Sequence, residues 1–149
     1  MKPSSTQPHL TVAAVIEQHG RFLMIEEQVR GIWVLNQPAG HVQAGENLIE
    51  AVHRETREEA ASQIQATALI CMLQWQAKRN QEHYLRIVFA ADFISSLDLP
   101  LDQGIRAVKW LSLEEIKNHE LKVRNPAVLT AIDYYLNANL YPLDLLKSV

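Results

Sequence analysis

Gly40-His-Val-Gln-Ala-Gly-Glu46-Asn-Leu-Ile-Glu50-Ala-Val-His-Arg54-Glu55-Thr-Arg-Glu58-Glu59-Ala-Ala-Ser62 is a loop followed by a helix, and it decides how the rest of the chain is read. Asn47 followed by Glu50 is a helix N-cap with its capping-box partner, so the spacing predicts a helix from about residue 48. Leu48, Ile49, Val52 and Thr56 form a flank that faces a core. At about 100° per residue, Glu55, Glu58 and Glu59 share one face. Like charges that close cost an isolated helix roughly 0.2–0.5 kcal/mol per pair. A solvated acidic face tolerates that cost. A face that holds a divalent cation requires it, because Mg²⁺ takes hard oxygen ligands and keeps room for water and phosphate. Ala51, one turn before Glu55, is expected on the acidic face, its small side chain leaving room for a metal–phosphate group. Arg54 neighbours Glu50 and Glu58 at i±4 and is expected to orient a carboxylate.

Gly40, Glu46, Arg54, Glu55, Glu58 and Glu59, at their fixed spacing, resemble the Nudix box, the signature of hydrolases that act on nucleoside diphosphates linked to another group. The resemblance implies an α/β fold, an α/β/α sandwich with a mixed β-sheet. It implies Mg²⁺ or Mn²⁺ held by Glu55 and Glu59, with Glu58 alongside and the Gly40 carbonyl completing the shell. Arg54 becomes an orienting residue in catalysis and Glu46 a structural one. The base that activates water is Glu55 or Glu58 in some members and a carboxylate on a distal loop in others. Asp102 is the candidate for the second case, with Asp98 and Glu82 behind it. The box departs from the family at its end, where Ala61 replaces Gly and Ser62 an aliphatic residue. Gly there normally ends the helix in the left-handed conformation. Because both positions depart together, the expectation is a helix that runs on through Ala60, Ala61 and Ser62.

The resemblance extends to one phosphatase subgroup of the family through Trp33 to His41, Trp75, Trp110 with Glu114 and Glu115, Pro126, and Tyr141-Pro142-Leu143. It implies an unselective phosphatase on nucleoside tri- and diphosphates, also hydrolysing the pyrophosphorylated pyrimidine precursor of thiamine. Other readings are a Nudix pyrophosphatase of dinucleoside polyphosphates or nucleotide sugars, and a silent nucleotide-binding module. Silent modules typically lose box glutamates, and this chain keeps them. Trp33, Asn36 and Gln37, just before the box, are candidates to meet the substrate. Trp75 and Tyr84 are candidates to flank it, although Trp75 and Trp110 also suit a core. Arg86 and Arg124 are candidates for phosphate, and His41 lies next to the site.

With 149 residues, the chain is read as a single domain with a flexible segment over residues 1–7. A net charge of −3 gives no electrostatic case for binding nucleic acid. No apolar run is long enough to cross a bilayer, and Met1 to Gln7 does not read as a signal peptide. The expected partner is a small-molecule nucleotide or diphosphate substrate, and the expected state a cytoplasmic monomer or homodimer. Cys71, the only cysteine, reads as a buried structural thiol. The six histidines lack metal spacing such as H-E-x-x-H.

Strands are expected over His9–Ile16, Arg21–Ile25, Trp33–Leu35, Ala66–Trp75, Tyr84–Phe93 and Ala107–Trp110. Glu26–Gly31, Gln37–Gly45, Gln76–His83 and Ser95–Gly104 read as loops. Ser112 with Glu115 is a second capping box. Asn125-Pro126 opens a last helix with an apolar stripe of Ala127, Val128, Ala131, Ile132 and Tyr135.

Overall fold

A computed structural model of the chain describes residues 7–149. Most of the segment expected to be flexible, residues 1–6, lies outside the described residues. In chain order the elements are β1 (His9–Gln18), β2 (Arg21–Val29), β3 (Ile32–Asn36), β4 (Ala39–His41), α1 (Leu48–Ala60), β5 (Ser62–Gln76), β6 (His83–Ser96), β7 (Ile105–Leu111), α2 (Leu113–Lys117) and α3 (Pro126–Asn137).

The strands form one sheet in the order β3-β2-β1-β6-β5, with β4 added on β1 and β7 on β2. β1 and β6 run parallel, and every other pairing is antiparallel, so the sheet is mixed. Period-2 alternation sends neighbouring residues to opposite faces. Val12, Ala14, Ile16, Leu23, Ile25, Ile87, Phe89 and Ala91 pack with Ala51, Val52 and Ala60 of α1. Val15, Phe22, Met24, Val88 and Ala90 pack with Ile116 of α2 and with Val128, Ala131 and Ile132 of α3. Helices therefore cover both faces, which makes the expected α/β/α sandwich. β1 pairs with β4 over Thr11–Ala13 but with β2 only at Glu17 and Gln18. The two halves of the sheet part beside residues 11–16, and α1 and β4 sit at that parting.

Both capping boxes form: Asn47 with Glu50 opens α1, and Ser112 with Glu115 opens α2. Asn125 caps α3, accepting from the Ala127 N–H. Several boundaries differ from the sequence reading. β2 continues through Glu26 to Val29 where a loop was expected, because both acids meet cations from distant segments. Glu26 is bound by Arg106 and Lys109, and Glu27 by Arg124. Burial pushes the Glu26 carboxyl up, but those two partners outweigh it and hold it below the usual range. β4 lies inside the expected Gln37–Gly45 loop because β1 offers it a free edge. Cys71 is half-buried rather than enclosed, and burial pushes its thiol up.

The expected run-on of α1 is also corrected. Ala61 is left-handed, with φ 45° and ψ 43°, and it is the C-cap. β5 begins at the next residue, where Ser62 pairs with Ser96. The chain must turn from helix to strand in one residue, and a left-handed residue does that. The Ala61 carbonyl accepts from the Leu97 N–H at 2.7 Å, which holds the turn in place. A non-glycine residue pays roughly 1–2 kcal/mol for this conformation. Glycine escapes that strain but loses more entropy on folding. Ala61→Gly is therefore expected to stabilise the protein by about 0.5–1 kcal/mol, seen as a Tm higher by roughly 2–4 °C. A lower Tm would contradict the strained cap.

Candidate active site

The acidic face of α1 meets the β4 backbone. Glu59 is 7% exposed, and its Oε1 accepts from the Ala39 N–H at 2.8 Å. Glu55 is 9% exposed, and its carboxylate lies against Gly40. A Cβ on residue 40 would stand 2.1 Å from the Glu55 Cδ and 2.2 Å from Oε1. Gly40 thus permits the close approach, since a side chain there would displace the Glu55 carboxylate from β4.

Arg54 organises the rest. It binds both oxygens of Glu46, at 2.7 and 2.9 Å. It reaches Glu55 at 2.8 Å, Glu58 at 3.1 Å and the His41 carbonyl at 2.8 Å. The expected contact of Arg54 with Glu50 is not made, because Glu50 spends its carboxylate on the capping box. Glu46 also accepts from the Gln43 N–H, which ties the glycine loop to the helix. Its hydrogen bond from Arg54 holds the Glu46 carboxyl below the usual range. Ala51 is wholly buried in the core. Its small size serves the packing of helix on sheet rather than room for phosphate, which corrects that reading.

The electrostatics of this face are unbalanced. Burial pushes the Glu59 carboxyl up to about 9, with Glu27 and Glu55 adding like charge. Burial also raises Glu55, against the pull of Arg54, while Glu58 and Asp102 push the same way. Arg54 is spread over Glu46, Glu55 and Glu58 and gives Glu59 nothing. Such a set fits a missing positive charge. Among the described residues no three acids, histidines or cysteines converge as a ready cage. Two carboxylates beside a backbone edge suit Mg²⁺, which usually keeps several waters and uses substrate phosphate as a ligand.

The other candidates spread over several regions. Asp102 comes to this end of α1, its N–H donating to the Glu58 carbonyl at 3.0 Å. Asp98 is exposed on the same loop, and Glu82 pairs instead with His9 at 3.1 Å. Trp33 lies under Arg106, 4.3 Å from guanidinium carbon to ring centroid. Asn36 is fully enclosed, with its Oδ1 accepting from the Gln37 N–H. Gln37 is 1% exposed, and neither end of its amide finds a partner among the described residues. His41 contacts His9 at 3.1 Å between ring nitrogens, and burial holds its pKa below the usual value.

A separate group, whose Arg86 and Arg124 lie within electrostatic reach of Glu59, borders the acidic face. Trp75, Tyr84, Arg86 and Arg124 line a cavity of about 700 Å³. Trp33, Asn36 and Gln37 are absent from its walls. Glu27, which links Arg124 to the field around Glu59, escaped the sequence reading. Its own neighbours in sequence carry no signal for it, since its partner is almost a hundred residues away.

A mixed sheet between helices, with a carboxylate-bearing helix laid against a glycine backbone, defines an α/β/α protein whose acidic face suits a cation. The NUDIX domain model matches residues 7–132. Phosphatase NudJ of Escherichia coli K12 is 38% identical over 141 residues, covering 94% of this chain and 91% of that protein. A NUDIX hydrolase from Nitrosomonas europaea superposes with a TM-score of 0.92 at 39% identity, covering 96% of this chain and 98% of that one. A MutT NUDIX hydrolase from Burkholderia pseudomallei gives a TM-score of 0.71 at 26% identity, over 86% of this chain and 98% of that one. The chain belongs to the Nudix hydrolase family, and it is an enzyme of that family. No helix among the described residues is long and apolar enough to cross a membrane.

The close approach at residue 40 is open to test. Gly40→Ala should leave the fold intact, because the atoms it meets are the far end of one side chain. The Glu55 carboxylate must then swing away from β4. Misplacing a reacting group by about 1 Å can cost ~10²-fold, so kcat is expected to fall by tenfold to a hundredfold. Circular dichroism should be unchanged. Unchanged kcat would show that the position of Glu55 against Gly40 has no part in catalysis.

Proposed function

We propose that the protein hydrolyses phosphoanhydride bonds of nucleoside tri- and diphosphates with Mg²⁺ or Mn²⁺, releasing orthophosphate stepwise. The pyrophosphorylated pyrimidine precursor of thiamine is a further substrate of this type. The observation that carries the reading is the pair of buried carboxylates, Glu55 and Glu59, raised by burial and by like charge on one face of α1. Supporting it is the likeness to a phosphatase over almost the whole chain.

In this reading Glu55 and Glu59 hold the cation, with the Gly40 carbonyl and Glu58 beside them. When bound, the cation neutralises the phosphates and stabilises the charge that develops on the leaving group. Arg54 fixes Glu55 and Glu58 in place and is itself fixed by Glu46. Glu58, with its side chain 40% exposed, is the carboxylate of the three that opens to water. It is the group proposed to take the proton from the attacking water, with Asp102, whose N–H donates to the Glu58 carbonyl, as the alternative. The cavity beside the acidic face takes the organic end of the substrate.

Product analysis separates this reading from its neighbours. With a nucleoside triphosphate and Mg²⁺, ³¹P NMR is expected to show orthophosphate and nucleoside diphosphate first, and monophosphate later. Pyrophosphate as the main product would make the enzyme a pyrophosphatase and remove the stepwise reading. Turnover of nucleotide sugars or dinucleoside polyphosphates in place of simple nucleotides would favour the pyrophosphatase reading.

A further inference from the structure

Arg86 is 6% exposed. Its Nε donates to the Thr11 hydroxyl at 3.2 Å, and its buried Nη1 has no partner among the described residues. A guanidinium carries five donors, and burying one without its acceptors costs several kcal/mol after relaxation. Proteins keep such a group where an anion arrives. Arg86 projects from the middle of β6 into the cavity that Trp75, Tyr84 and Arg124 also line. Trp75 and Tyr84 are cross-strand partners stacked at 5.1 Å with their rings 6° from parallel. The Arg86 guanidinium stands 5.2 Å from the Trp75 centroid. Arg124 pairs with Glu27 yet keeps 43% of its side chain open. Lys78 and Arg79 stand at the same cavity, which no acid lines.

We propose that Arg86 and Arg124 form a second anion subsite, beside the acidic face of α1, which takes the phosphate next to the organic group of the substrate. This deepens the proposed function and rests on it for the chemistry at the far end of that chain. The two charged regions have opposite sign. An anionic chain bound by arginine at one end reaches the glutamates only where a cation sits between them. Arginine binding of the inner phosphate therefore places the outer anhydride at the acidic face and keeps the inner phosphoester out of it. Arg86 is a positioning residue in this scheme. Its guanidinium stays charged at neutral pH, although burial pulls its pKa down to about 10.

The test is calorimetric binding of AMP to the full chain in EDTA, with adenosine as the control. AMP is expected to bind, and adenosine to bind more weakly by about tenfold or more, the effect of one lost charged hydrogen bond. Arg86→Met should weaken AMP by a similar factor and raise KM for ADP with Mg²⁺ while kcat changes little. Arg86→Lys should recover part of the loss, which a merely structural role would not predict. Should Arg86→Met fail to fold, Arg124→Gln on the surface carries the same expectation. AMP and adenosine binding alike, or unchanged KM in a folded variant, overturns the subsite. Hydrolysis without AMP binding overturns the subsite and leaves the proposed function standing. AMP binding lost with Arg86, but without any turnover, keeps the subsite and removes the proposed function.

Discussion

Glu59→Gln is expected to lose ~10²-fold or more in kcat, the scale of removing one strong electrostatic element from a site. Glutamine keeps the length of the side chain, and its amide oxygen can still accept from the Ala39 N–H. What disappears is a charge, at a position 7% exposed and in no ion pair among the described residues. The same substitution should stabilise the protein in EDTA. The sign follows from the pKa, which burial pushes from 4.5 up to about 9. Below 4.5 the carboxyl is protonated in folded and unfolded chains alike, and the group contributes its full share to stability. As pH rises towards 9, the unfolded chain ionises freely while the folded one must keep the proton or bury the charge, so that share is lost. Glutamine has nothing to lose. At pH 7–8 the variant is expected to gain on the order of 2 kcal/mol over the parent in EDTA, measured by denaturation. The gain should fade towards pH 4. Lower activity together with higher stability marks a group kept for chemistry. A variant that is both active and no more stable would make Glu59 a structural carboxylate.

How much of this was legible in the sequence depends on how far each partner lies along the chain. The N-terminus of α1 was readable because its signal, Asn47 and Glu50, is complete within four residues. The same holds for Ser112 with Glu115 and for Asn125-Pro126. The face shared by Glu55, Glu58 and Glu59 follows from helical geometry alone. Arg54 was harder. Spacing pointed it at Glu50 and Glu58; Glu58 is bound, but the folded loop brings Glu46, eight residues away, onto it where Glu50 was expected. Ala61 misled because alanine favours helix interiors, yet here the strand that starts at Ser62 outweighs that preference. Glu26 and Glu27 look like loop residues until Arg106, Lys109 and Arg124 come to them. The cavity at Trp75 and Arg86 joins β5, β6 and the start of α3, so no local pattern announces it. Sheet order is of the same kind, because the parallel pairing of β1 with β6 joins residues about 75 apart.

Removal of divalent metal is expected to abolish turnover, and Mg²⁺ or Mn²⁺ to restore it. Without a cation, Glu59 resolves its burial by taking a proton, and Glu55 is pushed in the same direction. Protonated carboxyls are poor metal ligands, and without the cation nothing holds an anionic phosphate at this face. Binding of metal must therefore release protons, as it does wherever ligands have to be deprotonated. That linkage gives a second readout, independent of activity. A cation that binds the folded chain only stabilises it by RT ln(1 + [L]/Kd), about 2.7 kcal/mol at a hundredfold excess over Kd. Near pH 5 it competes with the proton on Glu59 and should add little. Towards pH 8–9 the competition weakens and the unbound chain is itself less stable, so the rise in Tm with Mg²⁺ should grow with pH. The dependence should be much reduced in Glu59→Gln, where the proton competitor at residue 59 is gone together with one ligand charge. Full activity after exhaustive dialysis against EDTA, or a rise in Tm with Mg²⁺ that does not change from pH 5 to pH 9, would mean that the acidic face of α1 is a solvated surface and that the hydrolysis is carried elsewhere.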